Sequence, residues 1–344
     1  MESTLFYPRK TFLILGVSLL SILSPHEVLA WGASGHRMIG ELAIKSLPSS
    51  LPEFIRSPKA VTMIGELARE PDRSKGTGNS HDHDLDPGHF INLSDEFRVA
   101  DSVSIDPLPE SREDYDTALR QKGNDEYKVG FLPYSIIDGW QQLQRDFAYW
   151  RADRKGESLA RSKAERQWFK QDRLLHELII LRDLGYWSHF VGDASQPMHV
   201  SIHYDAWGDY PNPENFNQMK GFHSRFEGSF ISDHVRPEAV LAKLKPINPC
   251  DCTIQSRTVT YLRETQTQVI PLFRLESEGA FSFNPDKGKA FAVERLSAAV
   301  SELRDMILDA WESSADSTVG YPPVKVLDIE SGLIDPIENM KGLD

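Results

Sequence analysis

The stretch HFVGDASQPMHV, residues 189 to 200, places two histidines and an aspartate within twelve positions. His189 and Asp193 are four residues apart at the end of an apolar-rich run, so on a helix both side chains project from one face. Pro197 stops or bends that helix, which lets His199 return toward the same point. The spacing is typical of metal ligands, but an ordinary hydrogen-bonded histidine and aspartate would produce it equally well.

The composition indicates an acidic globular protein with a sizeable core. The chain has 344 residues, 40% of them hydrophobic, and a formal net charge of -13. The length suits one large domain or two modest ones. The negative charge disfavours extended binding to nucleic acid through a lysine and arginine groove, because such binding relies on many cation contacts to phosphate. A phosphate substrate would need local positive charge, which bound metal can supply.

The N-terminus has the pattern of a secretory signal. Arg9 and Lys10 precede the apolar segment TFLILGVSLLSIL, and a small-residue site ends at Ala30. We therefore predict a signal peptide over residues 1–30, cleavage after Ala30, and a secreted or periplasmic mature protein. The apolar segment is too short to span a membrane as a helix, and we expect no transmembrane segment in the mature chain.

Helical periodicity dominates the rest of the sequence. In residues 293–311, apolar side chains alternate at steps of three and four and form one stripe. The segments 139–154 and 158–194 are also more helical than stranded, as is 258–276, which Pro271 interrupts. After Trp31, a further helix is expected, with Ser34 as a plausible cap.

The pattern predicts an all-α fold with a single mainly helical domain over residues 31–314. The polar stretches 73–87 and 203–221 are expected to be loops. Residues 315–344 lose periodicity and are predicted to form an extended C-terminal tail. Nothing in the sequence calls for an obligate protein partner.

More residues able to bind a cation are spread along the chain. His223 and Glu227 repeat the spacing of four on one helical face. The α-amine of Trp31, once free, would form a chelate with its own carbonyl. The other candidates are His36, Asp72 and His89. A mixture of imidazoles, carboxylates and an amine suits zinc better than calcium, which prefers oxygen alone.

These segments resemble a known family. WGASGH, HF, HFVGDASQPMH and FHSRFE are similar to the motifs of the zinc-dependent single-strand nucleases, the S-one/P-one nuclease family. They are more distantly similar to the bacterial zinc-dependent phospholipases C of the same superfamily. All nine metal-ligand positions of the family have candidates in the same order, over residues 31–227.

The resemblance implies an all-helical fold of the phospholipase C and P-one nuclease type with three zinc ions. One ion would be held by Asp72, His89, His189 and Asp193. A second would be held by the Trp31 amine and carbonyl, His36, and Asp193 as a bridge. The third would be held by His199, His223 and Glu227.

The resemblance also suggests which residues contact the substrate, and two positions differ from those of the nucleases. Lys75 and Phe90 match positions that in the nucleases lie by the phosphate and stack on the base. Asn92, however, stands where the nucleases have an aspartate. Glu227 stands where the nucleases usually have aspartate and the phospholipases have glutamate.

The implied activity is hydrolysis of single-stranded DNA or RNA, or of 3′-nucleotides, to 5′-phosphate products. Asp72 would orient the attacking water or accept its proton, and Lys75 would add charge near the phosphate. Phe90 would stack on a splayed base. Two alternatives stay open at this point: a phospholipase C acting on phospholipid, and a secreted metal-binding protein without catalysis.

The remaining histidines and the cysteines favour ordinary interpretations. The motif HDHD at 81–84 is expected to be a solvated charge run or part of the cleft rim. His176 is expected to be a surface or packing residue, while His203 and His234 can line the cleft. Cys250 and Cys252, in PCDC, are more typical of a loop than of a metal site, although they can form a small disulfide ring.

Overall fold

The computed structural model describes residues 31–75, 84–100 and 103–342. The predicted signal peptide, 1–30, and residues 81–83 of the HDHD motif lie outside the described residues. Among the described helices, none combines the length and the hydropathy that a membrane span requires.

The described part of the chain is all-α, which confirms the predicted fold class. Its helices of nine or more residues are α1 (Gly32–Lys45), α2 (Pro58–Leu67), α3 (Arg112–Arg120), α4 (Leu132–Leu159), α5 (Lys163–Asp193), α6 (Ile254–Gln266), α7 (Val269–Ser277) and α8 (Pro285–Ser313). The shorter helical segments are Glu53–Arg56, Glu70–Ser74, Asp86–His89, Glu126–Val129, Pro197–Val200, Phe222–Arg225, Phe226–Phe230, Ile231–His234, Pro237–Leu241, Ser314–Asp316, Val326–Glu330 and Ile337–Lys341.

Two antiparallel pairs of two-residue strands complete the described secondary structure. The strands are β1 (Arg98–Val99), β2 (Val103–Ser104), β3 (Thr318–Val319) and β4 (Val324–Lys325). Arg98 lies opposite Ser104, and Thr318 lies opposite Lys325.

The core forms where long helices pack against one another. α4 and α5 are an antiparallel hairpin, and a capping box of Ser162 and Glu165 begins α5. α8 packs on α1 and α4, and its apolar stripe is buried, as the periodicity predicts. Leu296, Val300 and Leu303 on that stripe are 0% exposed, so removing any one would leave a cavity in the centre of the bundle.

Two helix boundaries differ from the predictions. α1 begins at Gly32 rather than at a Ser34 cap, because Trp31 turns the chain with a φ of 39° and its carbonyl accepts a hydrogen bond from Gly35. The segment 258–276 divides before Pro271, which lies in the first turn of α7. A proline is tolerated there because the first backbone N–H groups of a helix have no partner within the helix.

The prediction of an extended tail after residue 314 is wrong. β3, β4 and the helix Val326–Glu330 pack on α4, where Val319, Val326 and Ile329 are buried against Ala148 and Ala152. Too few apolar residues occur in this segment to produce a period. Their partner surface is a small-residue face of α4, which lies far away in the sequence.

The two cysteines form a disulfide with each other. Cys250 and Cys252 lie in the irregular segment between Leu241 and Ile254. This agrees with the loop interpretation and with the small ring that the spacing allows.

Candidate metal centre

Eight of the nine predicted ligands bring their side chains together at the C-terminal end of α5. They are buried, each at most 8% exposed. Their ligand atoms form three groups, and within each group the atoms lie within 4.8 Å of one another. The groups are His36, His189 and Asp193; Asp72, His89 and His189; and His199, His223 and Glu227.

The end of α5 supplies the residues that connect two of these groups. His189 Nε2 lies 3.3 Å from Asp193 Oδ2, which confirms that the two side chains share a helical face. His36 stacks on His189, and its Nε2 lies 3.3 Å from Asp193 Oδ1. Asp193 Oδ2 also lies 3.1 Å from His89 Nδ1. Each oxygen of Asp193 therefore faces a different group, which is the arrangement that a bridging carboxylate needs.

In the group containing Asp72, two imidazole nitrogens face each other. His189 Nδ1 donates a hydrogen bond to the carbonyl of Ala68 at 2.8 Å, so a neutral ring leaves Nε2 without a proton. That Nε2 lies 2.9 Å from His89 Nδ1 and 3.6 Å from Asp72 Oδ1. A backbone carbonyl that fixes the tautomer of a histidine is typical of metal ligation.

The third group repeats this design. His199 Nδ1 donates to the carbonyl of His89 at 2.6 Å, and His223 Nδ1 donates to the carbonyl of Tyr204. The two Nε2 atoms face each other at 3.1 Å. Glu227 Oε1 lies 2.8 Å from the Nε2 of His223 and 3.4 Å from that of His199.

The second oxygen of Glu227 has no local partner. Glu227 is fully buried, and its Oε2 has no hydrogen bond to any residue that the structure describes. Gln196 donates to the other oxygen, Oε1. Glu227 lies in a π-helical turn, Phe226–Phe230, an irregularity that often occurs at functional sites. A buried carboxylate with one oxygen beside two imidazoles and the other without a partner fits a cation site, because leaving a buried charge uncompensated is costly.

The pKa shifts keep Glu227 ionised, favour positive charge on His199 and disfavour it on His89. Burial raises the pKa of Glu227, but His223 and His199 outweigh it and hold that pKa at about 2. Burial lowers the pKa of His199, but Asp193 and Glu227 raise it to about 9. Burial, followed by the positive charge of Lys75, lowers the pKa of His89 to about 3. Ionised carboxylates beside imidazole nitrogens form the mixed oxygen and nitrogen donor set that suits zinc.

Trp31 lies beside this cluster without contributing a side-chain ligand. Its fully buried indole donates hydrogen bonds to the carbonyl of Gly192 at 2.8 Å and to Ser195 Oγ at 3.0 Å. These bonds hold the start of α1 against the residues on either side of Asp193. The chelate through the Trp31 amine requires cleavage after Ala30 and stays a prediction.

A cavity of about 410 Å³ lies over the cluster. Its lining includes His89, His199 and His223, together with Lys75, Phe90 and Asn92, the residues predicted to contact substrate. Lys75 Nζ lies 2.9 Å from Asp72 Oδ1. Phe90 is half-buried, and the Asn92 amide donates to the carbonyl of Lys128 at 3.2 Å.

Sequence reasoning missed several residues of this region. Lys128 and Tyr204 also line the cavity, and Gln196 contacts Glu227. Gln196 lies inside the quoted stretch, three residues after Asp193, and that proximity was the available signal. Lys128 and Tyr204 come from segments with no ligand-like spacing.

Three described histidines lie outside the three groups, and two of them, His203 and His234, pack on aromatic rings. His203 is fully buried and stacks on Trp207, and its Nε2 lies 3.4 Å from Asp95 Oδ1. His234 packs on Phe230. His203 is therefore part of an aromatic core rather than of the cleft lining that the sequence allowed.

Comparison with known proteins gives little further information. No protein-family model matches the chain, and no curated protein matches it. Among solved structures, the chain is similar to one described as Alpha Toxin from Clostridium Absonum, with 15% sequence identity and a TM-score of 0.39. The match covers 83% of this chain and 67% of the toxin chain. Similarity at this level does not identify a family, so the nuclease resemblance stays a prediction.

Proposed function

We propose that the protein is a zinc-dependent phosphodiesterase, specifically a nuclease that hydrolyses single-stranded DNA or RNA, or 3′-nucleotides, to 5′-phosphate products. One observation carries the proposal. Eight residues from distant segments converge in one buried cluster, and that cluster opens into a cavity that also holds Lys75 and Phe90. A purely structural metal site has no need of an open cavity.

We infer that the cluster would hold three zinc ions, because its ligand atoms fall into three groups. Asp72, His89, His189 and Asp193 would hold one, and His199, His223 and Glu227 would hold another. His36 and Asp193, with the amine and carbonyl of Trp31, would hold the third. When bound, such ions lower the pKa of water to near 7 and neutralise phosphoryl oxygens.

The chain's own residues then position the substrate. Lys75 lines the cavity, with its ammonium group 2.9 Å from Asp72 Oδ1, and would pair there with a phosphate. Asp72 is positioned to orient the attacking water or to accept its proton. Phe90 offers the face of a ring to an unstacked base, and this favours single strands over duplexes. Asn92 lines the same cavity and offers an amide to the edge of that base.

Phospholipase C activity is the second candidate. The sequence observation that favours it is Glu227, because the phospholipases of this superfamily carry glutamate at that ligand position. The geometry of Glu227, which contacts both His199 and His223, suits either activity.

Parallel substrate assays test the proposal. The zinc-loaded chain would be offered single-stranded DNA, RNA, 3′-nucleotides and phosphatidylcholine, with and without a chelator. We expect chelator-sensitive cleavage of the nucleic acids. Preferential cleavage of phosphatidylcholine would replace the nuclease by the phospholipase, and inactivity on all substrates with full zinc content would support a non-catalytic metal protein.

A further inference from the structure

A second cluster of metal-ligand residue types lies toward the other end of α5. Asp172 and His176 are four residues apart on this helix, the same spacing as His189 and Asp193, and Asp153 faces them from α4. Seventeen residues separate the corresponding positions, which is roughly 25 Å along a helix axis. This cluster is therefore distinct from the candidate metal centre.

The donor atoms of the second cluster lie close together. His176 Nδ1 lies 2.9 Å from Asp153 Oδ2, and one oxygen of each carboxylate lies within 4.8 Å of the imidazole nitrogen and of the other. His176 stacks on Tyr149, with ring centroids 5.3 Å apart and an angle of 15° between the planes. The ring is therefore held in place by packing as well as by Asp153.

The decisive feature is a buried oxygen with no partner. Asp153 is 0% exposed, and its Oδ1 has no hydrogen bond to any residue in the described ranges. No lysine or arginine within those ranges forms an ion pair with Asp153 or Asp172, and His176 is the one basic group that contacts Asp153. Two carboxylates beside a single imidazole leave negative charge that a low-dielectric site tolerates poorly.

We propose that Asp153, Asp172 and His176 bind a divalent transition-metal ion, for which zinc is the probe. Two carboxylates and an imidazole are a donor set that zinc accepts, with solvent as a further ligand. Asp172 and His176 are half-buried, so an ion can enter from solvent and keep a water. This site joins α4 to α5 across their hairpin, and it does not depend on the proposed phosphodiesterase activity.

Zinc stoichiometry of the full chain tests the proposal. The variants His176→Gln and Asp172→Asn should each bind one zinc ion fewer per chain than the wild type after equilibration in a zinc buffer. His234→Gln, which removes an imidazole packed on Phe230, is the matched control and should bind as much zinc as the wild type. The circular dichroism spectrum and the phosphodiesterase activity of each variant should match those of the wild type. These two measurements check that each variant is folded.

A measurement on the wild type covers the case in which the variants do not fold. Crystals grown with zinc at the stoichiometry found in solution should show an anomalous peak between Asp153 and His176. Unchanged zinc content in folded variants, or no peak at this position in the wild type, would overturn the proposal. Either result would show that a shared proton, rather than a metal ion, compensates Asp153.

Discussion

α5 carries two clusters built on the same spacing, and they differ in what surrounds them. At its C-terminal end, His189 and Asp193 meet candidate ligands from three other segments, and the Nδ1 of His189 is fixed by a backbone carbonyl. Farther back along the helix, Asp153 of the neighbouring helix is the one further candidate ligand that the described residues bring to Asp172 and His176, and the Nδ1 of His176 already contacts that carboxylate. A spacing of four residues thus produces a pair of candidate ligands, whereas the convergence of distant segments brings three groups of candidate ligands together.

The two clusters also differ in how open they are to a substrate. The cluster at the C-terminal end opens into the cavity lined by Lys75 and Phe90. The second cluster lies between two helices, with Tyr149 stacked over its imidazole. We therefore expect substitutions in the first cluster to change activity, and substitutions in the second to change zinc content and stability alone.

The largest effect is expected from Asp193→Asn, because each oxygen of Asp193 faces a different group. Loss of one ligand or its support typically lowers metal affinity or activity about 10 to 100-fold, and here two groups are affected at once. We expect kcat/KM to fall more than 100-fold. We also expect the variant to lose more than one zinc ion per chain. Asp172→Asn is the control at the same spacing on α5 and should keep full kcat/KM. Equal activity losses in the two variants would contradict the expectation that activity depends on the first cluster and not on the second.

A smaller effect is expected from His199→Ala, which removes a ligand from one group alone. We expect the loss of one zinc ion and an activity loss of about 10 to 100-fold. His203→Ala is the comparison, since His203 stacks on Trp207 in the aromatic core. It should lower the melting temperature and leave the zinc content unchanged. Loss of zinc from His203→Ala would show that the wrong histidine was assigned to the centre.

Phe90→Ala tests whether a base stacks on the ring of Phe90 in the cavity. Base stacking on an aromatic ring is worth roughly 1 to 3 kcal/mol, so KM for single-stranded DNA or RNA should rise while zinc stays bound. A small chromogenic phosphodiester without a base should be cleaved almost as before. The alternative is that Phe90 is mainly a packing residue, in which case truncation would cost about 3 to 5 kcal/mol of stability and impair every substrate. Kinetics on both substrates, together with a melting curve, separate the two outcomes.

The smallest effect concerns the pH dependence of stability in the metal-free chain. Burial, with repulsion from Asp172, raises the pKa of Asp153 to about 7, although His176 opposes the shift. An acid whose pKa is raised by folding stabilises the folded state at low pH, and that stability is lost as the pH rises from about 4 through 7. Asp153→Asn should reduce this loss by about 1 to 2 kcal/mol.

Melting temperatures in chelator at pH 5 and pH 8 provide the measurement. The difference between the two temperatures should be smaller for Asp153→Asn than for the wild type. Added zinc at pH 8 should raise the melting temperature of the wild type more than that of the variant. An identical pH response in the two proteins would mean that Asp153 does not titrate in this range.

Helix spacing and a proline predicted five of the eight converging residues, whereas His36, Asp72 and His89 have no such spacing and were assigned to the ligand set by the family resemblance. Helix spacing placed His223 and Glu227 on one face, and Pro197 begins the short helix that carries His199. It could not reveal Asp153 as a buried acid, because its burial depends on how α4 pairs with α5. For the same reason His176 was predicted to be an ordinary surface or packing residue.

The fold was predictable where periodicity is strong and not where burial is irregular. The stripe of α8 is a local pattern, and its burial follows from that pattern. The segment after residue 314 buries single residues such as Val319 and Val326 through two short strands and a short helix. These contacts do not recur at a regular interval in the sequence. Their burial becomes clear only from the surface of α4 on which they pack.

That C-terminal segment forms its own small apolar cluster, separate from the main core. Val319, Val326 and Ile329 contact α4, and Arg151 of α4 donates a hydrogen bond to Glu330. Because these contacts do not run through the bundle centre, the segment can open as a local unit while α8 remains folded. Amide hydrogens of β3 and β4 should then exchange with solvent long before those in the middle of α8, and a protease should trim the chain there first.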